Sequence, residues 1–245
     1  MKWNTKISKV TEKGAVVRGY DVSGLIGKIT FTDMICLLLK GELPKKGERE
    51  LLDAIFVSSA EHGIQVPSIT AARIVQSAGN PINTAVAAGI LSIGDYHGGA
   101  GEQAARLFQE NVGKSAAGLV KQMVSRKERL PGFGHKHYDK DPRVAPLFAL
   151  AEKQKLAGKH IKFAKEVDKE LCAQTKKVLH LNIDGAVAAI ISDLGFPWQS
   201  GRAFFIIPRT AGIAAHVVEE RMSGEVYRRE DDSNVTYSGP AEKKF

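Results

Sequence analysis

Leu130-Pro131-Gly132-Phe133-Gly134-His135, followed by Asp141-Pro142-Arg143, is the stretch on which the reading of this chain turns. A Pro-Gly-x-Gly turn exposes backbone amides that suit an anion or a flat ring. His135 then stands where it can donate to a carbonyl oxygen. Arg143 opens the next helical pattern, and its planar guanidinium suits a carboxylate. On spacing alone the same residues also make a glycine-rich turn with a helix cap, so the rest of the chain has to decide.

Outward from this loop, apolar residues recur at three- and four-residue spacing. The pattern predicts helices over 30–40, 48–62, 68–76, 83–93, 101–109, 116–126, 143–157, 160–176, 185–194 and 202–222. Thr30 or Thr32 offers the first of these a cap, and Gly41 with Pro44 stops it. The helix over 83–93 is rich in Ala and Gly, which permits close helix approach in an interior or at a subunit interface. A strand signal lies in 13–20, around Ala15-Val16-Val17 and closed by Gly19. Residues 228–245 are charged and poor in apolar side chains, a tail. The expected fold class is mainly α.

The chain has 245 residues, 43% hydrophobic and 25% charged, values of a globular protein that exclude a disordered one. No apolar run approaches the roughly 18 residues of a membrane helix. Met1-Lys2-Trp3-Asn4 lacks a signal-peptide core, so a cytoplasmic protein is expected. Cys36 and Cys172 lie inside apolar helical patterns and read as reduced core thiols. No His-x-x-x-His or Cys pairing supplies ligand spacing, and no metal is expected. The charge of 35 − 27 = +8 points to an anionic partner. Because the bases are scattered without aromatic interleaving, a phosphate-bearing small molecule is favoured over nucleic acid.

With its flanking residues, the Pro-Gly-Phe-Gly-His stretch resembles the signature of the citrate synthase superfamily around its central histidine. Other stretches agree, in that family's order. Arg18-Gly19-Tyr20-Asp21 with Leu37 to Pro44 resembles an early strand and helix. Glu61-His62-Gly63, His97-Gly98-Gly99-Ala100-Gly101-Glu102 and Asn182-Ile183-Asp184-Gly185 resemble active-site segments. From Pro44 to His62 only residues 45–61 intervene, a shortened N-terminal part. Such compactness resembles the citryl-CoA lyase branch, including the C-terminal lyase module of ATP-citrate lyases. Ser92-Ile93-Gly94-Asp95 and Leu181 to Gly185 are similar to that module.

The resemblance implies a large helical domain over 1–95 and 185–245 and a small one over 96–184. It implies that Asp184 is the base toward the acetyl methyl, His97 donates to the thioester oxygen, and His135 polarises the oxaloacetate ketone. In cleavage, His135 takes the citryl hydroxyl proton and Asp184 returns one to the acetyl carbon. His62, Arg143 and Arg209 would bind carboxylates, with Arg228 reaching in from a neighbouring subunit. Pro131, Gly132, Phe133 and Gly134 would lie along the CoA adenine, with Lys136 or Lys140 near its phosphates. Asp193 and Glu102 read as ordinary helix residues. CoA enters as part of the substrate, no cofactor is bound permanently, and a homodimer or larger homo-oligomer is expected. A citryl-CoA synthetase is a candidate partner.

Three functions stay open at this point. The first is citryl-CoA lyase, which the length and local motifs favour. The second is citrate synthase, favoured by His97, where the ATP-citrate lyase module generally carries an aromatic residue. The third is a non-catalytic subunit of a citrate-cleaving assembly.

Overall fold

A computed structural model gives the structure of residues 2–245. Three short strands come first: β1 (Ser8–Thr11), β2 (Gly14–Val17) and β3 (Tyr20–Asp21). They form an antiparallel sheet in the order β1-β2-β3, with Thr11 opposite Gly14 and Val17 opposite Tyr20. Arg18 and Gly19, at φ of 48° and 91°, make the two-residue turn between β2 and β3, the handedness that matches strand twist. The sequence predicted one strand here. β1 is exposed along its whole length, so it has no buried face to leave an alternating pattern.

The helices follow: α1 (Val22–Leu25), α2 (Phe31–Lys40), α3 (Lys46–Ser59), α4 (Pro67–Ser77), α5 (Ile82–Leu91), α6 (Ala100–Asn111), α7 (Ala116–Ser125), α8 (Val144–Lys153), α9 (Lys159–Thr175), α10 (Ile183–Asp193) and α11 (Ala203–Ser223). The fold is mainly α, as expected. α2 opens on a capping box in which the Thr30 hydroxyl accepts from the Asp33 N–H at 3.2 Å and the Asp33 carboxylate accepts from the Thr30 N–H at 2.9 Å. Gly41, at φ 93°, ends it.

Two compact units emerge, one taking Ile93–Arg209 with the chain up to Glu61, the other His62–Ser92 with Thr210–Phe245. In the first, α10 is the central element: nine of its eleven residues are buried, the mark of a helix enclosed on all sides. It packs on α6, α8 and α9, and Phe108, Ile190, Ile191 and Phe204 are among the core side chains. α10 shares one core with the helices before it.

Two residues read as ordinary have specific partners in this unit. The Asp193 carboxylate accepts from the backbone N–H groups of Gly158, His160 and Ile161 at 2.8, 2.9 and 3.1 Å. It thereby caps the start of α9 from another helix. Glu102 pairs with Arg202 at 3.2 Å. Cys36 is a core thiol as expected, and burial pushes it up to about 11. Cys172 is only half-buried, because it lies on the edge of α9 rather than in its core stripe.

In the second unit α4 packs on α5. A Cβ on Gly89 would come within 2.7 Å of the Ser68 carbonyl oxygen, so the small residue is what lets the helices approach. The charged tail is anchored at its start. The Tyr227 N–H donates to the Ser77 carbonyl at 2.9 Å and the Arg228 N–H to the Ser77 hydroxyl at 3.0 Å. The Arg228 guanidinium meets buried Glu220, which also binds Arg73 at 2.6 Å.

Candidate active site

The site is built where the 130s loop meets the N-terminus of α10. Gly132 and Gly134 hold φ of 85° and 78°, a region a side chain would strain. Phe133 bridges Leu181, the Gly134 N–H donates to the His180 carbonyl at 2.8 Å, and the Asn182 N–H donates to the Gly132 carbonyl at 3.0 Å. The Asn182 side chain works on both partners: its amide N–H donates to the Gly134 carbonyl at 2.7 Å, and its oxygen accepts from the Gly185 N–H at 3.2 Å, capping α10. A Cβ on Gly132 would lie 2.7 Å from the Gly185 Cα. Only a glycine pair lets the loop lie this close to the helix.

Asp141 makes the second tie. It is 5% exposed. Its carboxylate accepts from the Ile183 N–H at 3.0 Å and from Arg143 Nε and Nη2 at 2.9 and 2.8 Å. Burial alone would raise its pKa, but the Arg143 and Ile183 bonds overcome this and hold the carboxyl below the usual range. Arg143, fixed in this fork, also reaches the Ser58 carbonyl at 3.4 Å.

Asp184 stands in the first turn of α10. Loss of water pushes its carboxyl above the usual range, with Asp141 adding to the shift and the guanidinium groups of Arg143 and Arg209 opposing it. Arg209 is 2% exposed, donates to the Ser59 carbonyl at 3.1 Å and lies over the Phe205 ring at 4.7 Å. His97 meets the same ring edge-on at 5.6 Å. Burial and the Arg209 charge lower the pKa of His97, so the ring is neutral near pH 7. His97 sits in a bridge with Gly94, and a Cβ on Gly98 would collide with Phe205 at 2.5 Å.

Burial also lowers His135, with Asp141 pulling the other way. Its Nδ1 accepts the His137 N–H at 3.0 Å. The neutral ring therefore carries its hydrogen on Nε2, a donor suited to a ketone oxygen. Taking a hydroxyl proton on Nε2 requires the other tautomer and release of the His137 N–H.

A cavity of about 610 Å³ opens beside His135, lined by Phe133, Gly134, Lys136 and Leu179, with Arg129 and Lys177 among its basic groups. Pro131 and Gly132 are not among the lining residues, since Gly132 is turned against Gly185. Lys140 lines a different cavity, of about 470 Å³. Arg129 and Lys177 were missed from sequence. Arg129 adjoins the Leu130–His135 stretch, which was a usable signal; Lys177 lies just past the C-terminal end of α9 and was not legible.

The first unit thus brings together His97, His135, Arg143, Asp184 and Arg209, linked through shared electrostatics. His62 and Arg228 belong to the second unit. His62 is half-buried, in the segment that precedes α4, and Arg228 is held by Glu220 and Ser77 as described.

Residues 45–230 match the family "Citrate synthase, C-terminal domain". A citryl-CoA lyase from Hydrogenobacter thermophilus is 42% identical, with a TM-score of 0.96 over 99% of this chain and 97% of that one. The ATP citrate lyase of Methanothrix soehngenii, solved with citrate and coenzyme A, shares the fold at 23% identity and a TM-score of 0.86, over 99% of this chain and 42% of its own. The citrate/2-methylcitrate synthase of Bacillus subtilis (strain 168) is 29% identical over 86% of this chain and 57% of its own length. The chain spans just over half the length of the curated relatives it matches first. No helix among the described residues is long and apolar enough to cross a membrane. The family match takes in the 130s loop, α10 and everything between them, and the chain therefore belongs to the citrate synthase family.

Proposed function

We propose that this protein cleaves citryl-CoA into acetyl-CoA and oxaloacetate. The carrying observation is the end-to-end likeness to the Hydrogenobacter thermophilus citryl-CoA lyase, in which neither chain has much length left over. Citrate synthases of known structure share the fold but run longer: that of Thermotoga maritima is covered over 60% of its length.

In cleavage the carbon–carbon bond breaks as the citryl hydroxyl becomes a ketone, leaving the acetyl-CoA enolate. His135 acts at the hydroxyl oxygen, taking its proton once the ring has changed tautomer. His97, neutral, donates to the thioester oxygen and stabilises the enolate. Asp184 returns a proton to the acetyl carbon, and a carboxyl raised by burial holds that proton more readily than an ordinary one. Arg143 and Arg209 bind the carboxylates, with His62 in support and Arg228 entering from a neighbouring subunit of a homodimer or larger assembly. The CoA portion occupies the cavity beside Phe133, Gly134 and His135, its phosphates meeting Arg129, Lys136 and Lys177. A citryl-CoA synthetase would supply the substrate, in the cytoplasm. No resident cofactor enters these steps.

The second reading is citrate synthase, favoured by His97. Synthetic citryl-CoA separates the two. Lyase action yields oxaloacetate with the thioester bond intact, whereas release of free CoA without oxaloacetate would favour the synthase and overturn the proposal. Neither product would point to a non-catalytic subunit.

A further inference from the structure

Behind the 130s loop lies a cluster the chemistry above does not use. Asp168 and Cys172 stand one turn apart on α9 and face the same way, and His180 follows in the segment that leads to α10. The His180 Nδ1 is 3.2 Å from Asp168 Oδ2 and 3.6 Å from Cys172 Sγ. All three ligand atoms lie within 4.8 Å of one another, and all three residues are half-buried.

These separations fit a shared cation. Tetrahedral coordination at about 2.3 Å to sulfur and about 2.0 Å to nitrogen or oxygen sets S···N and N···O edges near 3.5 and 3.3 Å. Other atoms hold the ligands in place. The second Asp168 oxygen accepts from the Leu181 N–H, which leaves Oδ2 for a cation. The His180 carbonyl accepts from the Gly134 N–H. Asp168 and His180 both line the 470 Å³ cavity, which gives a path for entry and room for a water in the fourth position.

We propose that Asp168, Cys172 and His180 bind one borderline divalent cation of the Zn²⁺ type, separate from the reacting groups. Cys172 releases its thiol proton to solvent and coordinates as thiolate, His180 binds through neutral Nδ1 and Asp168 through one oxygen. The bound cation staples the end of α9 to residues 180 and 181, which the 130s loop uses as its backbone partners. The sequence hid this site because residues 173–179 separate Cys172 from His180, a gap that matches no common ligand spacing.

Cobalt(II) titration of the chelator-treated full chain tests it. One equivalent per chain is expected to give tetrahedral visible bands and a thiolate-to-cobalt charge-transfer band in the near ultraviolet, both displaced by Zn²⁺. Zn²⁺ is also expected to raise the Tm. Cys172→Ser abolishes the charge-transfer band, and Asp168→Asn, which keeps an acceptor for Leu181, weakens binding at least tenfold. Circular dichroism checks that both variants fold. Cys36→Ala and His137→Ala leave the spectrum unchanged. Absence of the bands in the parent protein, their survival in Cys172→Ser, or their loss in His137→Ala would each overturn the site.

Discussion

Asp141 grips Arg143 through two near-parallel N–H···O bonds of 2.9 and 2.8 Å, and the same carboxylate accepts the Ile183 N–H that opens α10. One buried acid therefore orients the guanidinium proposed to bind a substrate carboxylate and places the helix turn that carries Asp184.

Replacing Asp141 with Asn keeps one acceptor but loses the fork and the charge. The expected loss of stability is roughly 2–4 kcal/mol, since buried Asp141 loses its charge-assisted bonds and the half-buried Arg143 guanidinium loses its counter-ion. KM for citryl-CoA should rise at least tenfold. Because the native carboxyl lies below the ordinary value of about 3.9, its contribution is complete above that pH and disappears as pH falls through the lowered value. Denaturant melts from pH 6 downward should show a shallower acid limb in Asp141→Asn than in the parent.

Asp184 gives the opposite sign. Its raised carboxyl favours the protonated form in the folded state, so its contribution to stability declines as pH climbs from about 3.9 through the raised value. Asp184→Asn is expected to cut kcat by about 10²–10⁴-fold while leaving the protein at least as stable near pH 7. An unaltered kcat on citryl-CoA would remove Asp184 from the mechanism.

Gly132→Ala tests the seam between loop and helix. The new Cβ meets the Gly185 Cα at 2.7 Å on a backbone at φ 85°, and a loss of roughly 2–4 kcal/mol is expected from clash and strain together. Calorimetry should register a lower Tm. A Tm equal to the parent's would mean that the loop lies farther from α10.

The two lysines near the loop should behave differently. Lys136 lines the cavity beside His135, whereas Lys140 lines the other one. Lys136→Ala and Lys177→Ala are each expected to raise KM for the CoA ester about 2- to 10-fold with kcat unchanged, less so at high salt. Lys140→Ala should leave KM where it was, and equal effects from both lysines would refute this division.

Among the described residues the sequence by itself determined ten of the eleven helices, all but the short α1, because apolar spacing and caps such as Thr30 and Gly41 act within a few residues. It also carried the candidate loops, since Pro131 to His135, His97 and Asn182 to Asp184 are contiguous motifs, and the roles proposed for them come from the family resemblance. Only the tertiary structure decided what joins them. The Asp141–Ile183 bond spans 42 positions, Asp193 caps a helix whose start lies more than thirty positions earlier, and Lys177 reaches the His135 cavity from just past the end of α9. The same holds for Cys172, which apolar neighbours assigned to the core and which the packing of α9 left at an edge beside Asp168 and His180. Local periodicity reports which way a side chain faces on its own helix. It is silent on which distant group arrives opposite, because that depends on how whole elements stack.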